Sequence, residues 1–329
     1  MPKFTVFVTR QIPDQGLIAL KQAGYTVQVY KEDKIIPRKD LLKSVKGCDA
    51  LLPLLTDKID DEVMQAAGPH LKIIANYAVG FDNIDLPAAK KRGIPVTNTP
   101  APEVSETVAE HAMALILGLA HRIPESDVYT RGKNYKGWSP TLLLGTDIHH
   151  KTLGIIGLGR IGIALAERAV RGFRMTCVYS DIKRDEQFEK TYGAVFLPME
   201  KLLMVSDFVS LHVPLLPSTH HLISTDAFSL MKKTAYLINT SRGPIINEKA
   251  LLRALKTKRI AGAGLDVYEC EPEIDCDLKD RLELKSFPNT ILTPHTASAS
   301  IESRQAMSKL AADNIIAVLS GKKPLTAAK

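Results

Sequence analysis

The chain has 329 residues, 45% of them apolar and 24% charged, with a formal net charge of +7. That length supports two domains, each with a full core, in a balance ordinary for a soluble globular protein. No Lys/Arg run resembles a nucleic-acid tail, no apolar run approaches the ~18 residues of a membrane span, and the N-terminus has no signal-peptide layout, so a cytoplasmic protein binding neither nucleic acid nor membrane is expected.

Residues 3–8 read as a strand, Gly16 to Ala23 as a helix and Tyr25 to Tyr30 as a second strand. Lys39 to Val45 reads as a helix, Ala50 to Leu55 as a strand, Asp60 to Ala67 as a helix and Leu71 to Ala75 as a fourth strand. Such alternation predicts a doubly wound parallel sheet with helices on both faces. Asn76 to Asp85 follows. Gly80 there, at the carboxyl end of a parallel strand, lets a ligand meet backbone N–H groups; a plain strand-to-helix turn fits equally well. Pro95 to Pro102 reads as a linker. A helix from Pro102 to about His121 is apolar around most of its circumference and should be buried, as a bridge between domains and part of a subunit interface. Trp138 is either core filling or an interface anchor. Cys48, Cys177, Cys270 and Cys276 show no metal-ligand spacing, so four reduced thiols and no metal are expected.

The run Leu153-Gly154-Ile155-Ile156 reads as a buried strand, and Gly157-Leu158-Gly159-Arg160-Ile161-Gly162 then opens a helix. In this G-x-G-x-x-G the first glycine permits the turn, the second lets a pyrophosphate approach the backbone, and the third allows close helix–strand packing. The next strand, Met175 to Tyr179, leads to Asp181. That is where the fingerprint wants a carboxylate for the ribose hydroxyls, ~20 residues on. A dinucleotide is therefore expected. Asp181 favours NAD by repelling a 2′-phosphate, although Lys183 and Arg184 keep NADP possible.

Beyond Asp181, strands are expected at Asp207 to Val213, Ala235 to Asn239, Gly262 to Asp266 and Asn289 to Thr293, with helices from Asn247 to Leu255 and Ile301 to Leu319. Open parallel sheets bind ligands at the carboxyl ends of their strands. Pro214, Thr240, Ser241, Arg242, Asp266, Glu271 and His295 all fall just after such strands, so the fold should bring them to one sheet edge. This set suits reduction of a 2-keto acid. A histidine supplies the proton near neutral pH, a carboxylate favours its imidazolium form, and an arginine grips the substrate carboxylate through paired N–H groups. His111, His121, His149, His150, His212, His220 and His221 lack this placement and are read as structural or surface residues.

Val79-Gly80-Phe81-Asp82-Asn83-Ile84-Asp85, Leu153 to Gly162, Leu211-His212-Val213-Pro214-Leu215, Ile238 to Gly243, Gly264 to Pro272 and Leu292-Thr293-Pro294-His295 together resemble the D-isomer-specific 2-hydroxyacid dehydrogenases over nearly the whole chain. The resemblance implies a Rossmann nucleotide domain, residues 103–296, inserted into a flavodoxin-like substrate domain of residues 1–102 and 297–329. It makes Arg242 the substrate-binding arginine, Glu271 the partner carboxylate and His295 the general acid/base. It gives Asp266 to the nicotinamide amide, Val79 and Gly80 to the substrate carboxylate, and a homodimer built through the nucleotide domain and the long helix. Asn76 to Gly80 and Gly137-Trp138-Ser139-Pro140 look like glyoxylate and hydroxypyruvate reductases. Phosphite dehydrogenases place a lysine where Val79 stands, and formate dehydrogenases a glutamine where Glu271 stands. A nicotinamide-sensing corepressor of the C-terminal-binding-protein type shares the arginine, glutamate and histidine, and is the competing reading; a dehydrogenase of another small anion, such as phosphite, is a further one. Leu54, Leu55, Tyr77 and Trp138 are candidates to shape the substrate pocket.

Overall fold

The computed structural model describes residues 4–271 and 283–328. Two compact units emerge, Met1–Val104 with Ala299–Lys329, and Ser105–Ser298.

The first unit is a parallel sheet of β1 (Thr5–Val8), β2 (Thr26–Val29), β3 (Ala50–Leu52), β4 (Ile73–Ala75) and β5 (Val96–Thr97), in the order β2-β1-β3-β4-β5. That is the flavodoxin-like order. Its central strands are short, continuous apolar runs because both faces are covered; Val6, Val8, Leu51, Leu52, Ile73 and Ile74 have no exposed surface. Helices α1 (Asp14–Gln22), α2 (Arg38–Ser44), α3 (Asp61–Ala67) and α4 (Leu86–Lys91) supply the cover. Asp60 caps α3 by accepting from Val63 N, and Asp85 caps α4 by accepting from Ala88 N. The C-terminal helix, Ile301–Leu319 (α12), joins this unit by packing on α1. Gly16 makes the approach possible, since a Cβ there would stand 2.2 Å from Ser308 O. Gly16 N donates to Ser308 Oγ (3.0 Å), which donates in turn to Pro13 O (2.6 Å). The expected linker, Pro95 to Pro102, holds the two-residue edge strand β5.

In the second unit α5 (Pro102–Ala120) and α6 (Ile123–Arg131) precede the strands β6 (Thr152–Ile156), β7 (Thr176–Ser180), β8 (Val195–Phe196), β9 (Phe208–Leu211), β10 (Tyr236–Asn239), β11 (Gly262–Leu265) and β12 (Thr290–Leu292). Helices α7 (Arg160–Glu167), α8 (Glu186–Tyr192), α9 (Met199–Val205), α10 (Thr225–Leu230) and α11 (Glu248–Lys256) lie between them. The sheet is parallel in the order β12-β11-β10-β9-β6-β7-β8. The chain winds outward from β6 through β7 to β8, then returns to β9 and winds the other way. The switch point falls between β6 and β9, where doubly wound sheets bind dinucleotides. Helix α5 is buried, as its composition requires: Ala109, Ala112, Ile116 and Ala120 have no exposed surface. It lies on the sheet so closely that a Cβ at Gly264 would meet Leu115 at 3.1 Å.

Among the described residues, no helix is long and apolar enough to cross a membrane. Four reduced thiols were expected, and Cys270 departs from that because it is disulfide-bonded. Cys48 and Cys177 are free and buried, and burial pushes both thiols up to about 12. Cys276 and Pro272 lie outside the described residues.

Candidate active site

The glycine turn between β6 and α7 has the three steric features expected of it. Gly157 sits at φ +95°, and a Cβ there would strike the His212 carbonyl at 2.7 Å. Gly159 has open space around it, so a phosphate can approach its backbone. At Gly162 a Cβ would meet Gly157 O at 2.6 Å, so helix and strand pack without room for a side chain. Asp181, just past β7, accepts from Leu158 N (2.6 Å) and Ile182 N (2.6 Å), which fixes its carboxylate beside the turn. Arg184 is turned onto Glu189, donating through Nε (2.8 Å) and Nη2 (2.6 Å) to its two oxygens. Thr240 Oγ1, just past β10, is buried with no hydrogen-bond partner among the described residues. An open glycine cradle, a fixed carboxylate and an orphaned buried hydroxyl all fit a dinucleotide.

His212 follows β9 and shares a 2.8 Å hydrogen bond with Ser210 Oγ through Nε2. Burial pushes its pKa down from 6.5 to about 4. The folded state then prefers the neutral ring, so stability from this group is present above pH 6.5 and is lost as pH falls towards 4. The contribution is at most roughly 3 kcal/mol. His212→Asn should flatten the fall in urea midpoint across this pH window. An unchanged slope would show that His212 does not titrate in this way.

The chemistry-bearing residues gather around the ends of β10, β11 and β12. His295 adopts φ +55° in the turn after β12, which no glycine relieves. Asp266, at the end of β11, holds that turn. Its carbonyl accepts from His295 N (2.8 Å), and its carboxylate accepts from Thr293 Oγ1 (2.6 Å), Thr296 N (2.8 Å) and Ala297 N (2.7 Å). Asp266 has no exposed surface. His111 of α5 completes the cluster, with Nε2 3.0 Å from Thr293 Oγ1 and 3.6 Å from Asp266 Oδ1.

His295 Nδ1 donates to Glu271 Oε2 at 2.9 Å. An ionised carboxylate can only accept, so the Nδ1 position carries hydrogen and Nε2 is left to exchange a proton. The other oxygen of Glu271 accepts from Tyr268 N (2.9 Å). Partial burial pushes the Glu271 carboxyl up, but the His295 hydrogen bond and charge, the Tyr268 N–H and the nearby Arg242 outweigh it, leaving the pKa below 4.5. Arg242 stands three residues past the end of β10. Asn239 Nδ2 donates to Arg242 O (2.9 Å), Asn239 Oδ1 accepts from Ser241 N (3.0 Å) and Oγ (2.9 Å), and Arg242 Nη1 donates to Ser241 O (2.8 Å). Gly243 is required next to it, because a Cβ would stand 1.8 Å from Tyr268 O. Pro214, past β9, accepts through its carbonyl from Thr219 Oγ1 (2.6 Å).

Val79 and Gly80 belong to the first unit, past β4. Ala78 O accepts from Thr99 N (2.8 Å), and Val79 O accepts from Asn98 Nδ2 (2.7 Å). A trans peptide points its N–H opposite to its C=O, so the N–H groups of Val79 and Gly80 face away from these anchors. Asn76 Nδ2 donates to Gly80 O (2.9 Å), and Asn83 Nδ2 donates to Leu54 O and Asp57 O (3.1 Å each). Both asparagines fall inside the resembling stretches, but only the fold exposes their part in shaping the loop. Tyr77 is buried and donates to Arg304 O (2.7 Å). Trp138 is 83% exposed in the second unit, which removes the core-filling reading.

The family profile for the D-isomer specific 2-hydroxyacid dehydrogenase NAD binding domain matches residues 113–297. Glyoxylate reductase of Korarchaeum cryptofilum is 49% identical over 320 residues, covering 97% of this chain and 94% of that one. A crystal structure of a Thermus thermophilus protein superposes with a TM-score of 0.91 at 40% identity, covering 99% of this chain and all of that one. An NADPH-dependent glyoxylate/hydroxypyruvate reductase of Sinorhizobium meliloti, crystallised with NADP and malonate, gives a TM-score of 0.84 at 31% identity, covering 99% of this chain and 97% of that one. With its two parallel-sheet folds and its glycine cradle, the chain belongs to the D-isomer-specific 2-hydroxyacid dehydrogenases, a family of NAD(P)-dependent oxidoreductases.

Proposed function

We propose that the protein reduces glyoxylate or hydroxypyruvate, with His295 as proton donor, Glu271 as its partner and Arg242 as the carboxylate clamp. The observation that carries this reading is the 2.9 Å contact between His295 Nδ1 and Glu271, with Arg242 close enough to lower the Glu271 pKa. Gly157 to Gly162, Asp181, Pro214, Thr240, Ser241 and Asp266 would hold a nicotinamide dinucleotide, which would supply the hydride for the keto carbon. Val79 and Gly80 donate backbone N–H groups to the substrate carboxylate. Arg242 binds that carboxylate and draws charge towards the carbonyl oxygen. His295 Nε2 delivers a proton to that oxygen, and Glu271 stabilises the imidazolium that precedes delivery. The second unit then carries the cofactor residues together with Arg242, Glu271 and His295. The glyoxylate reductase names of relatives at 45–49% identity support the substrate class.

Asp181 and the Arg184–Glu189 pairing favour NAD. Initial rates with NADH and NADPH, offered with glyoxylate, hydroxypyruvate and phosphite, test the whole reading. Rapid NADH oxidation with the keto acids is expected; turnover with phosphite alone would reject it. Asp181→Ala should narrow the NADH/NADPH ratio, since the carboxylate no longer repels a 2′-phosphate. An unmoved ratio would remove Asp181 from cofactor choice.

A homodimer completes the proposal. Ile123, Val128, Tyr135, Trp138 and Leu144 are 55, 70, 56, 83 and 65% exposed, an apolar stretch that begins at α6 and calls for a covering surface. A second copy of the chain is the occupant, following the family pattern. Sedimentation of the wild type should give a dimer, and Ile123→Asp with Val128→Asp should shift it to monomer. A monomeric wild type would refute the assembly.

A further inference from the structure

We propose that His221 and Glu269 form a positioning pair that fixes the Tyr268–Glu271 segment and thereby sets the contact between Glu271 and His295. The proposal rests on the reading of His295 as proton donor.

His221 adopts φ +53°, a left-handed backbone position that is uncommon for residues other than glycine. Its N–H donates to Pro244 O (2.8 Å), two residues past Arg242. The ring is held at both nitrogens. Asn247 Oδ1 accepts from Ala250 N (2.9 Å) as the cap of α11, so the Asn247 amide presents its NH₂ to His221 Nδ1 (3.2 Å). Nδ1 therefore accepts, and the ring proton sits on Nε2, which donates to Glu269 Oε1 (2.6 Å). Glu269 Oε2 accepts from Glu248 N (2.9 Å) in the first turn of α11, where the helix dipole favours an anion. Glu269 thus ties its segment both to the His221 loop and to α11.

The rest of that segment touches the site. Tyr268 OH donates to Thr293 O (3.0 Å), in the turn of His295, and Tyr268 N donates to Glu271. Gly243 backs the segment, with no room for a side chain between them. His221 and Glu269 are 31% and 23% exposed, and a pair this open to solvent adds little to global stability. Its effect lies in placement, where a shift of ~1 Å costs orders of magnitude in rate. Among the described residues, the titratable and charged groups that act on Glu271 are His295, Arg242 and the neighbouring Tyr268.

The test compares wild type with His221→Ala, Glu269→Ala and His221→Gln, the last keeping a donor near the Nε2 position. If His221→Ala does not fold, His221→Asn replaces it. We expect His221→Ala and Glu269→Ala to lower kcat for glyoxylate roughly tenfold, with the KM for NADH unmoved. The alkaline limb of kcat/KM should shift to lower pH, because a displaced Glu271 supports the His295 proton less well. His221→Gln should recover both. A wild-type profile in the alanine variants, or a fall in kcat with an unmoved pH limb, would overturn the pair. The ¹⁵N resonances of the His295 imidazole ring, titrated in wild type and variants, read the same contact without turnover: the His295 titration should move in His221→Ala, and an unmoved one overturns the pair. A wild type that reduces no keto acid would sink the functional reading while leaving that titration decisive for the pair.

Discussion

His295→Ala should lower kcat for keto-acid reduction by about 10²–10⁴-fold and leave NADH affinity unchanged. In this variant no side chain stands ready to protonate the carbonyl oxygen as it gains negative charge. His295 is held for that task at three points. Its backbone N–H is bound to Asp266 O, its Nδ1 to Glu271, and its turn to the Asp266 carboxylate. Glu271→Gln should have the same direction and a smaller size, since a neutral amide still orients the ring but no longer stabilises its charge. Stopped-flow measurement of NADH binding and of single-turnover rates separates the two quantities. A His295→Ala enzyme with wild-type turnover would remove His295 from proton transfer.

Arg242→Ala should raise KM for glyoxylate and lower kcat together. A lost charge-assisted pair with the substrate carboxylate costs about 2–4 kcal/mol, or roughly 30- to 1000-fold in kcat/KM. Arg242→Lys should recover only part, because lysine keeps the charge and loses the planar fork. Arg242 also helps hold Glu271 ionised. Its removal should therefore raise the Glu271 pKa and move the acid limb of the rate profile to higher pH. Steady-state kinetics with glyoxylate as the varied substrate check both effects, and an unchanged KM would contradict the clamp.

The nucleotide turn was legible in the sequence because its causes are local. Each glycine of Gly157, Gly159 and Gly162 answers a steric demand within one strand, one turn and one helix. The placement of Arg242, Glu271 and His295 was legible for a different reason: parallel strands put their following residues on one sheet edge, whatever the distance along the chain. The supporting contacts were not. His221 and Glu269 lie 48 residues apart, and His111 and Thr293 lie 182 apart, with no spacing rule to link them. His111, His212 and His221 therefore read as bystanders until the fold gave them partners. Helices α4 and α10 escaped because six residues carry too little periodicity. Trp138 stayed ambiguous because a sequence pattern does not separate a side chain buried by its own chain from one left for a partner.

The proposed reaction is a direct hydride transfer that gives a D-2-hydroxyacid. The measurement that tests it is reduction of hydroxypyruvate with NADH carrying deuterium at both C4 positions of the nicotinamide, followed by chiral and mass analysis of the product. D-glycerate with deuterium at C2 is expected. L-glycerate, a product without the label, or no product despite NADH binding would contradict it.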